Sequence, residues 1–228
     1  VLDPEARRVL VGTAIIIFVY RAMPGPGPGS TWWMIDELGF DQQFLSVLSL
    51  ISSSLALLGM FIFRRFMAEK SIAYIMVFLT IISTVLTLPI ISMYYGFHEW
   101  TAAHTNGVVD ARFIALVDTA LESPLGQVAM IPMLAWIANS APSNLKATFF
   151  AVMASFTNLA LSLAQLGTKY LNEIFTVTRE VKDAATDAIS VPADYGELGM
   201  LLIVAAVITF VLPILAVALV LGTRLKSA

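Results

Sequence analysis

Two carboxylates, Asp118 and Glu122, stand four residues apart in the string FIALVDTALESP, and Arg21 follows the apolar run VLVGTAIIIFVY. An ionised side chain in the middle of a membrane helix costs roughly 2.5–3.5 kcal/mol on insertion scales. Such groups therefore face a bundle interior, pair with one another, or mark a substrate or proton path. A spacing of four stacks both acids on one helix face, where mutual repulsion and loss of water favour proton uptake, the chemistry of a proton carrier. The plainer alternative is neutralisation, with Arg21 or Arg112 paired to Asp118 and Glu122 hydrogen-bonded beside Pro124.

A second set of polar groups runs through Thr148, Ser155, Asn158, Ser162, Gln165 and Lys169. Their separations keep them on one continuous helix stripe, suited to lining an aqueous pathway or to bonding between helices. Asn158 and Gln165 carry amides with both donor and acceptor capacity, the equipment for reading a heteroaromatic ring. Pro124 and Pro132 interrupt the helix that carries the acids, and Ser49, Ser52, Ser53, Ala56 and Gly59 make a small-residue packing face. Trp32, Trp33 and Trp100 are expected at the outer membrane interface. His98 and His104, six apart, fit no helical metal pattern, and no phosphate loop, nucleophile elbow or dinucleotide fingerprint occurs. No metal, no cofactor and no enzymatic role are expected; an intramembrane acid–base enzyme built on Asp118 and Glu122 ranks last among the readings.

The elements that must position these residues are membrane helices. Of 228 residues, 58% are hydrophobic and 13% charged, with mean hydropathy +0.84, against about 25% charge in ordinary soluble domains. A net charge of −3 offers no basic surface for nucleic acid, and the absence of cysteine excludes disulfides and thiolate chemistry. The apolar runs predict an all-α polytopic membrane protein with the lipid bilayer as its surroundings. One six-helix bundle fills residues 1–228, with spans at about 9–38 (interrupted at 23–30), 44–63, 72–95, 113–138, 145–171 and 198–221, and a solvated, partly helical outer loop at 172–197. The interruption is the run MPGPGPGS; irregular backbone at membrane depth is tolerated only against protein or a water-filled cavity. Read instead as a loop outside the membrane, the run leaves the first apolar arm, 9–20, too short to cross.

With both termini cytoplasmic, Arg7, Arg8, Arg64, Arg65, Lys70, Lys146, Arg224 and Lys226 fall inside, while acids from Asp36 to Glu197 collect on the outer connections against Asp3, Glu5 and Glu69 within. The placement expected is an integral protein of the cell (inner) membrane. The polar lead-in after Val1 is no signal peptide and suggests a fragment of a longer chain.

Particular strings carry a resemblance. Leu38-Gly39-Phe40 followed by Phe44-Leu45, the stretch GMFIFRR from Gly59 to Arg65, Asp118 in its string, Ile131-Pro132-Met133-Leu134, and KATFFA from Lys146 leading to Ser155 and Asn158 together resemble the folate-biopterin transporter family of the major facilitator superfamily. The resemblance implies the carboxy-terminal half of a twelve-helix carrier in which two six-helix halves flank a central cavity, the amino-terminal half being absent here. It implies proton-coupled uptake of folate- or pterin-like small solutes, with Asp118 in the position of the family's acid on this helix. The segment from Gly59 to Lys70 resembles the superfamily's Gly-x-x-x-Asp-Arg loop, keeping Arg64-Arg65 and lacking the Asp. On this reading Arg21 attracts a solute carboxylate, Asp118 and Glu122 exchange protons, and Asn158 and Gln165 line the path. A carrier for another solute such as a muropeptide, and a non-transporting membrane scaffold, are the alternatives.

Overall fold

The computed structural model describes residues 4–126, 128, 130–140, 146–183, 186–223, 225 and 227. Asp3, Arg224 and Lys226, assigned to the inner side above, and the first residue of the 145–171 segment lie outside the described residues. The chain folds as α1 (Pro4–Arg21), α2 (Gly29–Asp36), α3 (Gln42–Ile62), α4 (Arg64–Glu69), α5 (Ile72–Leu86), α6 (Leu88–Tyr94), α7 (Phe97–His104), α8 (Ala111–Glu122), a 3-10 turn (Ser123–Leu125), α9 (Met130–Ser140), α10 (Lys146–Ile174), a hairpin of β1 (Val181–Lys182) and β2 (Ile189–Val191), and α11 (Leu198–Gly222).

Among the described residues, five elements are long and apolar enough to cross a bilayer: Gln42–Ile62, Ile72–Tyr94, Ala111–Trp136, Phe150–Ile174 and Leu198–Gly222. Their starts follow local chemistry. Asp41 accepts the Phe44 N–H at 2.7 Å, Ser71 that of Tyr74 at 3.3 Å and Asp110 that of Phe113 at 2.8 Å, each satisfying a first-turn donor that the helix itself leaves unpaired. Gly96, at φ +82°, makes the left-handed joint between α6 and α7.

Two apolar clusters mark the two ends of the bundle. At one, Ile16 and Ile17 of α1 meet Met76 of α5, Trp136 of α9, Met153 of α10 and Val220 of α11. At the other, Trp33 of α2 and Phe40 meet Met93 of α6, Ala111 of α8, Leu171 of α10 and Leu198 of α11. Successive long elements therefore run in alternate directions. The segment from α1 through α2 reaches from the first cluster to the second, but as two helices joined by the irregular run 22–28 rather than as one continuous span.

Two expectations change. Trp33 is buried against Tyr94, ring centroids 5.7 Å apart, so it packs the protein instead of anchoring at the interface, whereas Trp100 is well exposed. Among the described residues, the 172–197 connection carries no helix beyond the end of α10. It forms an antiparallel hairpin, Val181 opposite Val191, closed at its base by paired backbone bonds between Thr178 and Asp194.

Candidate functional site

The proline-glycine run is built into the bundle. Pro24, Pro26 and Pro28 carry no N–H, so the irregular backbone has few donors to satisfy. The Gly25 N–H donates to Thr168 Oγ1 at 2.9 Å, and Asn172 Nδ2 donates to the Pro26 carbonyl at 3.3 Å. Gly27 sits at φ +75°, with Asn172 where a side chain would project. A cavity of about 110 Å³ separates Pro24–Pro26 from Thr84 and Thr87 at the α5–α6 joint and from Leu202 to Thr209 of α11. These residues, with Thr168 and Asn172, belong to three of the membrane-crossing elements, so protein surrounds the irregular backbone, which is partly buried at 22–27 and exposed at Pro28.

Arg21, the last residue of α1, precedes this run. Its Nε is buried without a hydrogen-bond partner, and among the described residues it makes no ion pair. Arg21 and Glu122 line one cavity of about 280 Å³ together with Tyr20 and Ser83. Glu122 also lines a larger open cleft of about 830 Å³, with Ser52, Ser53 and Met60 of α3. Glu122 and Gly126 belong to both, so the carboxylate stands where the two spaces adjoin.

Asp118 lies one turn before Glu122, half-buried, with Oδ1 shielded from solvent and unpartnered. The neutralising pair considered from the sequence does not form. Arg112 instead donates to Asp41 Oδ2 and to the Gly39 carbonyl, both at 3.0 Å. The α8–α9 break is held by α3, with Ser123 Oγ 3.0 Å from Ser52 Oγ and Gly59 packed on the Pro124 backbone so closely that any side chain there collides. The expected small-residue packing face is thus used at Ser52 and Gly59, while Ser53 faces the cleft. Asn158 and Gln165 are exposed along α10 with Thr148, Ser155, Ser162 and Lys169, and line neither of these two cavities. Tyr20 and Ser83 escaped the sequence reading because nothing in their spacing relates them to Glu122.

The end of the bundle nearer α2 carries a separate polar clasp. Arg179 donates to both Asp36 carboxylate oxygens, at 2.8 and 3.0 Å, and the Tyr195 hydroxyl donates to the same group. These bonds hold the Asp36 carboxyl below its ordinary range, with the Arg179 hydrogen bond the largest cause. Tyr195 is pushed up to about 12, first by burial and then by its bond to the Asp36 carboxylate. Tyr94 Oη donates to the Tyr195 and Gly196 carbonyls, tying the same segment to α6.

An all-α bundle of long apolar elements, carrying unneutralised ionisable groups between them, defines a polytopic membrane protein. The chain belongs to the BT1 family, whose sequence model matches residues 6–227. It is 28% identical over 154 residues to a protein of Synechocystis sp. named "Folate-biopterin transporter", covering 68% of this chain and 30% of that one. It is 24% identical over 163 residues to "Putative folate transporter 2" of Plasmodium berghei, covering 72% and 34%. It is 26% identical over 164 residues to "Folate transporter 2" of Plasmodium falciparum, covering 70% and 34%. The chain spans about a third of the length of these curated relatives. No solved structure matches it. The relatives' names are those of transporters.

Proposed function

We propose that the chain is one six-helix half of a proton-coupled secondary carrier for folate- or pterin-like solutes, completed by a second half that covers its open polar side. The family match over residues 6–227, with relatives named as folate transporters, carries this reading. The geometry supports it at three places. A chain break is held among membrane-crossing elements, as in carriers whose sites lie at interrupted helices near the midplane. An open cleft of about 830 Å³ has the size of a solute site and a carboxylate at its edge. The stripe through Asn158 and Gln165 is exposed along a membrane-crossing helix, where a second helical unit would enclose it as a path lining.

In this carrier Arg21 offers a cationic hydrogen-bond donor to the solute, Asp118 and Glu122 take and release protons, and the α10 stripe lines the path. The α1–α2 segment is the sixth span, and the end carrying Arg64, Arg65 and Lys70 faces the cytoplasm of the cell membrane. The test is uptake of labelled folate by cells making the natural polypeptide that contains these residues, with biopterin as competitor. Uptake is expected to be inhibited by biopterin, abolished by a protonophore and reduced at least about tenfold in Asp118→Asn. Undiminished, protonophore-sensitive accumulation in Asp118→Asn would remove that residue from coupling, and no folate or pterin flux in the unaltered protein would overturn the solute assignment.

A further inference from the structure

We propose that the smaller cavity beside Arg21 receives the pterin ring itself, and that Glu122 reads its 2-amino-4-oxo edge while the rest of the solute occupies the larger cleft. This rests on the carrier reading above and names which part of the solute goes where.

The first argument is size. The inner space is about 280 Å³ and the outer about 830 Å³, whereas sites that enclose a whole drug-sized molecule occupy about 300–1,000 Å³. The inner cavity suits a compact head group alone. Because Glu122 and Gly126 border both spaces, a head lodged inside leaves its substituent in the cleft.

Chemical complementarity is the second argument. Arg21 Nε is a buried donor with nothing to donate to, and Glu122 is an acceptor without an ion-pair partner among the described residues. The two charges line one cavity without meeting. A solute carboxylate would satisfy Arg21 but bring a second negative charge into the space that Glu122 lines. A 2-amino-4-oxopyrimidine edge answers both groups: its carbonyl accepts from a guanidinium, while its ring N–H and 2-amino group donate side by side to a carboxylate. Leu79, Leu125 and Met130 supply apolar walls for the faces of such a ring, and Ser83 and Tyr20 bring hydroxyls to its rim.

The measurement is equilibrium competition binding on the natural polypeptide in detergent, comparing biopterin with its 2-oxo counterpart, in which a carbonyl replaces the amino group. The unaltered protein is expected to prefer biopterin by about tenfold or more, since the Glu122 carboxylate facing a carbonyl across the cavity has no donor to accept from and meets a second acceptor instead. In Glu122→Gln, whose amide can donate as well as accept, the preference should fall to within about twofold. Glu122→Asp should keep it, and Arg21→Gln should weaken both rings alike. No ring discrimination by the unaltered protein, a result that needs no variant to fold, overturns the proposal. So does an equal loss of both rings in Glu122→Gln. Binding of p-aminobenzoylglutamate that is lost in Arg21→Gln would place the solute's tail there and overturn it as well. Failure of the carrier reading is separately visible, as an unaltered protein that binds neither folate nor biopterin.

Discussion

At the scale of single residues, partnership decides role. Arg112 and Arg21 are both arginines near the bundle's acids, yet Arg112 is used up by Asp41 and the Gly39 carbonyl while Arg21 keeps an unpartnered Nε. The Asp36–Arg179–Tyr195 clasp is a full partnership, and its pH response follows from the signs. Asp36 titrates in the folded protein below its ordinary 3.8, so the stability it contributes is present above that value and lost as pH falls through the lower folded one. Tyr195, raised from 10.0 to about 12, contributes stability that is complete below 10.0 and lost as pH rises through 12. The hairpin is therefore expected to stay closed from about pH 4 to 10 and to loosen beyond either limit. Hydrogen exchange of backbone amides in 176–196 should report this, with faster exchange in Asp36→Asn at neutral pH. Because the clasp is partly exposed, the cost should stay below about 1 kcal/mol and leave the melting of the helices unchanged.

At the scale of elements, the interrupted first segment shows how side chains stand in for a helix's own bonds. The Gly25 N–H has Thr168 Oγ1 as its acceptor, beside the small cavity that lies between this run and the α5–α6 joint and α11. Thr168→Val keeps the shape and removes the acceptor, so it is expected to destabilise the bundle by about 1 kcal/mol, the cost of leaving a part-buried donor unsatisfied. Thr168→Ser should restore it. Thermal unfolding in detergent distinguishes the two, and equal melting temperatures would mean that the Gly25 N–H finds another partner.

At the scale of the whole molecule, the open polar side and the lipid-facing sides should differ in access to water. The 228 residues contain no cysteine and so add no background to thiol labelling. Single cysteines at Ser53, Asn158 and Ser162 in the natural polypeptide are expected to react with a charged, water-soluble thiol reagent. Cysteines at Leu50, Leu215 and Leu219, apolar and exposed within membrane-crossing helices, should not. Equal labelling of both sets would mean that the α10 stripe faces lipid and that the path lies elsewhere.

The length, order and apolar character of the five long elements were legible in the sequence because crossing a hydrocarbon layer demands runs that no other segment of the chain contains. The structure places long apolar helices at Gln42–Ile62, Ile72–Tyr94, Phe150–Ile174 and Leu198–Gly222, and irregular backbone at 22–28 between α1 and α2. The acids at 118 and 122 were visible for the same reason, as charges where charge is costly. What only the tertiary structure decided was company: that Arg21 shares a cavity with Glu122, that Arg112 serves Asp41, that Thr168 and Asn172 bond the broken segment, and that Trp33 lies in the core. Periodicity along a helix tells which residues share its face, but the neighbour that each face meets depends on how separate helices pack. A hydrogen bond between residues more than a hundred positions apart leaves no trace in the local pattern of either.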